Sequence, residues 1–150
     1  MIGLWMALSI GLATEPAKLE AAITSEIDRA MKGLRLPNQP EPHHIGVQVL
    51  DGHYVTIFTQ DGSIISTDEG PHREARVDVR VGSAEMDSAN FLASFGNRDG
   101  TQLRGLHHED VEIATRRELW LALDTAYKGA TEVYASKKAA RGERENTFAG

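Results

Sequence analysis

Histidines and paired carboxylates are the residues here whose types could do chemistry. The densest run is His107-His108-Glu109-Asp110. A zinc-peptidase helix places its second His a full turn beyond the first, on the same face, with a Glu beside the first as base. Counting from His108, the fourth position is Glu112 and the fifth is Ile113, so neither spacing supplies a second His. Neighbouring helical residues point about 100° apart and rarely chelate one ion. His107 and His108 are therefore weak, adventitious metal candidates, and polar residues at a helix start are the simpler reading. His43-His44 follows Pro42 at a strand entry, where adjacent side chains face opposite sides of a sheet. His53 and His72 stand alone near turns. No serine lies in a nucleophile elbow, and Gly96 and Gly100 lack the Lys and helix of a phosphate loop. The carboxylate pairs Asp68-Glu69 and Glu109-Asp110 lie in polar runs and read as solvent-facing. The expectation is no catalytic residue, no cofactor and no built metal site.

One polar set reads differently. Arg76, Asp78 and Arg80 form the wet side of an alternating run in which Ala75, Val77, Val79 and Val81 are the dry side. They are the candidate interaction face, with cross-strand charge pairing to an Asp68/Glu69 strand as the plainer alternative. Trp120 and Tyr127 fall on an apolar helix face and are expected in the core.

The elements that must position these residues follow from periodicity. Residues 17–34 form a helix, since Leu19, Ile23, Ile27, Ala30, Met31 and Leu34 recur at three- and four-residue steps. Glu20, Glu26, Asp28 and Lys32 lie off that stripe, and Pro37 forbids continuation. Residues 36–42, with three prolines, are a stiff spacer. The period then becomes two. Strands are expected at 45–49, 54–59, 63–67 and 75–81, joined by turns at Asp51-Gly52, Asp61-Gly62 and Gly70-Pro71. Residues 86–104 show no sustained period and read as loop. Residues 111–138 form a second long helix, with Asp110 as N-cap, Lys137 and Lys138 at its negative end, and Ile113, Leu119, Trp120, Leu123, Ala126, Tyr127, Ala130, Val133 and Tyr134 on its apolar face. The fold class is α+β: a four-stranded antiparallel meander with two long helices packed on one face.

The totals bound the function classes. With 150 residues the chain makes one ordinary domain, expected at 15–140 with a flexible tail over 141–150. The formal net charge of -6 argues against a generic nucleic-acid binder and against a polybasic membrane-surface protein. The absence of Cys removes disulfides and thiol chemistry. The N-terminus, MIGLWMALSIGLAT, is apolar over the length of a signal-peptide core and too short to span a bilayer as a helix. Residues 1–14 are read as a secretion signal lacking a basic start, with a buried first helix as the alternative. On the first reading the protein is periplasmic or secreted rather than cytoplasmic.

Three blocks carry a family resemblance: LPNQPEPHHIGVQVLDGHYVTI at 36–57, ARVDVRVGSAEMDSANF at 75–91 and RRELWLALDTAYKGATEVYASKKAA at 116–140. Together they resemble the N-terminal domain of TldD/PmbA-type proteins, over about 100 residues. His43-His44 stands where that pattern has aromatic residues, and Ser88 where it has Asn. The resemblance implies a predicted metallopeptidase or its partner subunit, acting on peptides or unfolded chains. Its metal site, a His-Glu-x-x-x-His helix with a distant Cys, belongs to a separate C-terminal domain, and no residue of that motif carries over to this sequence. The expected role is thus a non-catalytic accessory domain contributing to a substrate cleft or a subunit contact, its partners a peptidase catalytic domain or subunit and a peptide or unfolded chain. The alternative is an independent small binding module, periplasmic on the export reading, with an unrelated partner. Neither involves nucleic acid or a membrane span. On the export reading, a reporter fused after Glu20 leaves the cytoplasm with a shortened N-terminus; recovery of intact Met1 from the mature protein favours the structural helix instead.

Overall fold

The computed structural model describes residues 15–91, 100–108 and 112–148. The export segment, the Gly96-Asn97 part of the expected loop, and Glu109, Asp110 and Val111 lie outside the described residues. The element order is α1 (Glu15–Gly33), β1 (Pro42–Gln60), β2 (Ser63–Val81), β3 (Thr101–Gly105) and α2 (Glu112–Phe148). The α+β class and the antiparallel sheet are as expected, but among the described residues the sheet has three strands rather than four, in the order β1-β2-β3.

The difference has a local cause. Asp51-Gly52 and Gly70-Pro71 do not turn the chain: Asp51 lies opposite Arg73 and Gly52 opposite His72 within one continuous ladder. The four expected strands are therefore two long ones. Only Asp61-Gly62 turns, with Asp61 at φ 50° and Gly62 at φ 79°. Positive φ at both central residues is the tight hairpin geometry that matches strand twist, and it favours Asp-Gly. The third strand comes from the stretch read as loop: Thr101–Gly105 pairs with Glu74–Asp78 of β2. Gly100 begins it at φ 82°, so close beneath β2 that an added Cβ would sit 2.3 Å from the Val79 carbonyl oxygen.

Alternation decides which sheet face the helices cover. Ala75, Val77, Val79 and Val81 are fully buried against Leu119, Leu123, Ala126, Tyr127 and Ala130 of α2 and against Ala30 and Leu34 near the end of α1. Ile45, Val47 and Val49 of β1 border the same cluster. Both helices thus lie on the face of the odd-numbered residues of β1 and β2. Several expected core positions are only partly buried, namely Ile23, Ile27, Ile45, Val47 and Trp120, and Ile113 is 78% exposed. The buried Tyr127 hydroxyl donates to the Pro40 carbonyl at 3.0 Å and accepts from the Leu36 amide at 3.3 Å, which fastens the proline spacer to α2.

The helix pair holds a buried charge that helical periodicity placed off the apolar stripe. Glu26 is 1% exposed. Its carboxylate accepts from Arg29 and, at 3.1 Å, from Arg116 of α2. The Arg29 guanidinium lies over the Trp120 ring, 3.9 Å from its centroid. The hydrogen bond to Glu26 raises the Arg116 pKa above its ordinary value. A buried carboxylate persists only when so compensated, and Trp120 is partly exposed because it covers this ion cluster as well as bordering the core.

α2 runs to Phe148, past the end expected at Lys138, so it includes 141–148 of the expected tail. Lys137 consequently does not sit at a helix end. It donates to the carbonyls of Asp87 and Ala89, at 2.8 and 2.7 Å, and ties α2 to the segment after β2.

Replacing Leu123, which is fully buried, with Ala is expected to cost about 2–5 kcal/mol of stability. Phe58→Ala, at a position 54% exposed, is expected to stay within about 0.5 kcal/mol. Denaturant titration of both variants checks the core assignment, and equal losses at the two positions would contradict it.

Candidate functional site

Every residue from Leu50 to Glu69 is exposed. The β1–β2 hairpin continues well beyond the part that the helices cover, so its outer half stands clear as an arm. Solvated arms of this kind would be expected to carry polar side chains, yet this one exposes large apolar side chains on both faces. In the helix-facing register lie Val55 and Ile57; in the opposite register lie Leu50, Tyr54 and Phe58. Their exposures run from 39% at Tyr54 to 62% at Leu50, and Ile64 and Ile65 near the tip are exposed too. Several large apolar side chains exposed on one hairpin make it the candidate interaction surface.

An ionic clasp fixes the root of the arm. The Arg73 Nη2 donates to Asp51 Oδ2 at 2.7 Å across the ladder, and Nη1 donates to the His107 carbonyl at 3.3 Å. The Leu106 amide also bonds the Arg73 carbonyl, at 2.9 Å. His108 Nδ1 lies 3.9 Å from Asp51 Oδ1. The hydrogen bond from Arg73 holds the Asp51 carboxyl below the usual carboxylate range. Further out, the Tyr54 hydroxyl donates to Asp68 at 2.9 Å, and that bond raises the Tyr54 pKa.

The sequence-derived interaction face lies at the base of the hairpin, beside the arm's root. Arg76, Asp78 and Arg80 lie on the sheet face opposite the helices, lining an open depression of about 480 Å³ together with Gly46, Gln48 and Thr101. Arg80 donates to Asp78 at 3.0 Å, and His44 Nε2 is 3.9 Å from the same carboxylate. The alternative pairing with an Asp68/Glu69 strand does not occur, because those acids lie further along β2 itself, opposite Thr56 and Val55. Leu103 of β3, 62% exposed, pairs with Arg76 and extends this face.

The histidines do not converge. His43 approaches Asp87 at 3.6 Å, His44 approaches Asp78, and His108 approaches Asp51. His107 lies in the connection after β3, where its carbonyl meets Arg73. Among the described residues no group of three or more His, Asp or Glu side chains could hold a metal ion. The same residues contain no helix long and apolar enough to cross a membrane.

The arm was missed in the sequence, where residues 54–59 and 63–67 read as half-buried core strands. The signal was present. Residues 45–49 and 75–81 alternate strictly, whereas Val55, Ile57 and Phe58 put apolar side chains on both faces. No family model matches the chain, and no curated protein or solved structure aligns with it significantly.

The Arg73–Asp51 clasp gives a pH expectation. A carboxyl whose folded pKa lies below its unfolded value stabilises the fold above the ordinary carboxylate range and loses that contribution as pH falls through the lowered value. Acidification through that window, or Asp51→Asn at neutral pH, is expected to lower the amide exchange protection of residues 52–70, relative to the intrinsic rate at the same pH, while residues 75–81 stay protected. Uniform protection along both strands would show that the clasp does not hold the arm.

Proposed function

We propose that this chain is a non-catalytic interaction domain, of the kind found at the N-terminus of TldD/PmbA-type metallopeptidases, and that it works through the projecting hairpin. The observation that carries this reading is the apolar surface of the arm, held clear of the core. Burying such side chains against a partner removes apolar area from water, at about 25 cal/mol per Å². The Arg76, Asp78 and Arg80 face supplies the polar border that interfaces place around an apolar centre. The partner is a peptidase catalytic domain or subunit, and the arm contributes to the contact between them or to one wall of the cleft that receives a peptide. The helix–sheet body then serves as the rigid mount.

The test uses the chain together with a TldD/PmbA-type catalytic subunit. Calorimetry is expected to show association, weakened about tenfold or more by Phe58→Lys, a loss of at least about 1.4 kcal/mol. The same variant keeps the wild-type circular dichroism and unfolding midpoint, because Phe58 is not part of the core. The chain alone leaves a denatured protein substrate intact with or without added zinc. Metal-dependent cleavage by the chain alone, or association indifferent to the arm, would overturn the reading.

A further inference from the structure

We propose that β1 pairs edge to edge with β1 of a second copy of this chain, antiparallel about a two-fold axis at Tyr54. This rests on the reading of the arm as an interaction surface and names the occupant of one of its edges.

The strand order makes β1 an edge along its whole length among the described strands. Exposed edges invite pairing with other chains, and proteins blunt them with Lys, Pro, bulges or outward charge. The two strands of the arm differ in this respect. The part of β2 that lies beyond β3 carries Asp68, Glu69 and Pro71, and Ile65 is the extra residue of a bulge near the tip. β1 keeps unbroken register from His44 to Phe58 and has no Lys, Arg or Pro over that span. Its single carboxylate there, Asp51, is engaged by Arg73 of its own hairpin. One edge is defended and the other is left open.

The side-chain pattern of the open edge is self-complementary. On the face opposite the helices β1 presents Leu50, Gly52, Tyr54, Thr56 and Phe58 in alternate positions. Antiparallel pairing about Tyr54 sets Leu50 opposite Phe58 of the second copy, Gly52 opposite Thr56, and Tyr54 opposite its own equivalent. Each large apolar side chain meets another, and the small residue meets a small one. On the helix-facing side, Asp51 falls opposite Ile57 and His53 opposite Val55, so no like charges meet directly. The acidic pair Asp68-Glu69 stays one strand removed from the junction. A two-fold contact uses the same patch on both partners, which is what a palindromic edge provides. The result is one continuous sheet in the order β3-β2-β1-β1-β2-β3, with both pairs of helices on the same face.

The chain has no cysteine, so a single introduced thiol reports its own neighbour. Opposed Cα atoms in an antiparallel pair lie about 4.5–5.5 Å apart, within disulfide reach. Under mild oxidation Tyr54→Cys is expected to give a disulfide-linked dimer. Leu50→Cys and Phe58→Cys are expected to stay unlinked separately and to link when mixed. Wild-type protein sediments as a dimer, and Tyr54→Lys weakens that dimer about tenfold or more with unchanged circular dichroism. A monomeric wild type, or linking at all three positions separately, overturns the proposal. So does a dimer that needs residues 1–14 and gives no Tyr54→Cys link. A monomer whose binding to the catalytic subunit still depends on Phe58 defeats this inference alone and leaves the interaction reading standing.

Discussion

Everything in this molecule depends on one ladder. The pairing of β1 with β2 runs from Pro42 opposite Val81 to Gln60 opposite Ser63, closed by a single Asp-Gly turn. Because side chains alternate along a strand, a slip of one residue would carry Val77, Val79 and Val81 from the buried face to the wet one. Burial of those three valines against α2 therefore fixes the register of the whole hairpin, including the half that no helix covers. The tip inherits its geometry from packing at the base. That is how an exposed segment with no core of its own can hold a defined shape.

The cover is partial for reasons that can be assigned to residues. α2 is the longer helix, but its buried side chains run from Thr115 to Val133, and they meet β2 and β3 rather than the arm. α1 leans on α2, and its contact with β1 is slight. The Glu26–Arg29–Arg116 cluster holds the two helices together through charge, where a larger apolar interface would leave no need for it. An ion pair of this type gives a specific arrangement at small net gain, since desolvation offsets much of the attraction. The helices are thereby positioned over residues 75–81, and residues 54–67 stay exposed.

Legibility in the sequence followed the same division. The alternating runs at 45–49 and 75–81 and the stripe of α1 were plain because each is half buried and the period records it. Asp51-Gly52 misled because turn chemistry is permissive rather than obligatory: the Asp51 carboxylate bonds Arg73 across the ladder, and the strand simply continues. Pro71 is tolerated within β2 because no strand pairs with that stretch on the side away from β1 among the described residues. β3 escaped notice because its one large apolar residue, Leu103, faces outward, so the run lacks the alternation that burial imposes. Glu26 looked like a solvated helix residue; its burial depends on Arg116, ninety positions away, which no local pattern encodes.

The arm carries the functional argument because its composition contradicts its environment. A solvated hairpin gains nothing from Val55, Ile57, Phe58, Ile64 and Ile65, and such side chains expose it to misassociation. The contradiction is not spread evenly. β2 is guarded by acids, a proline and a bulge, while β1 is smooth and nearly uncharged. A general need for solubility would guard both edges, and a surface meant to adhere indiscriminately would guard neither. Guarding one edge directs association to the other. The Arg73–Asp51 clasp fits the same logic: it stiffens the arm at its root and engages the only carboxylate on the open strand, leaving a rigid apolar edge whose pattern is complementary to itself.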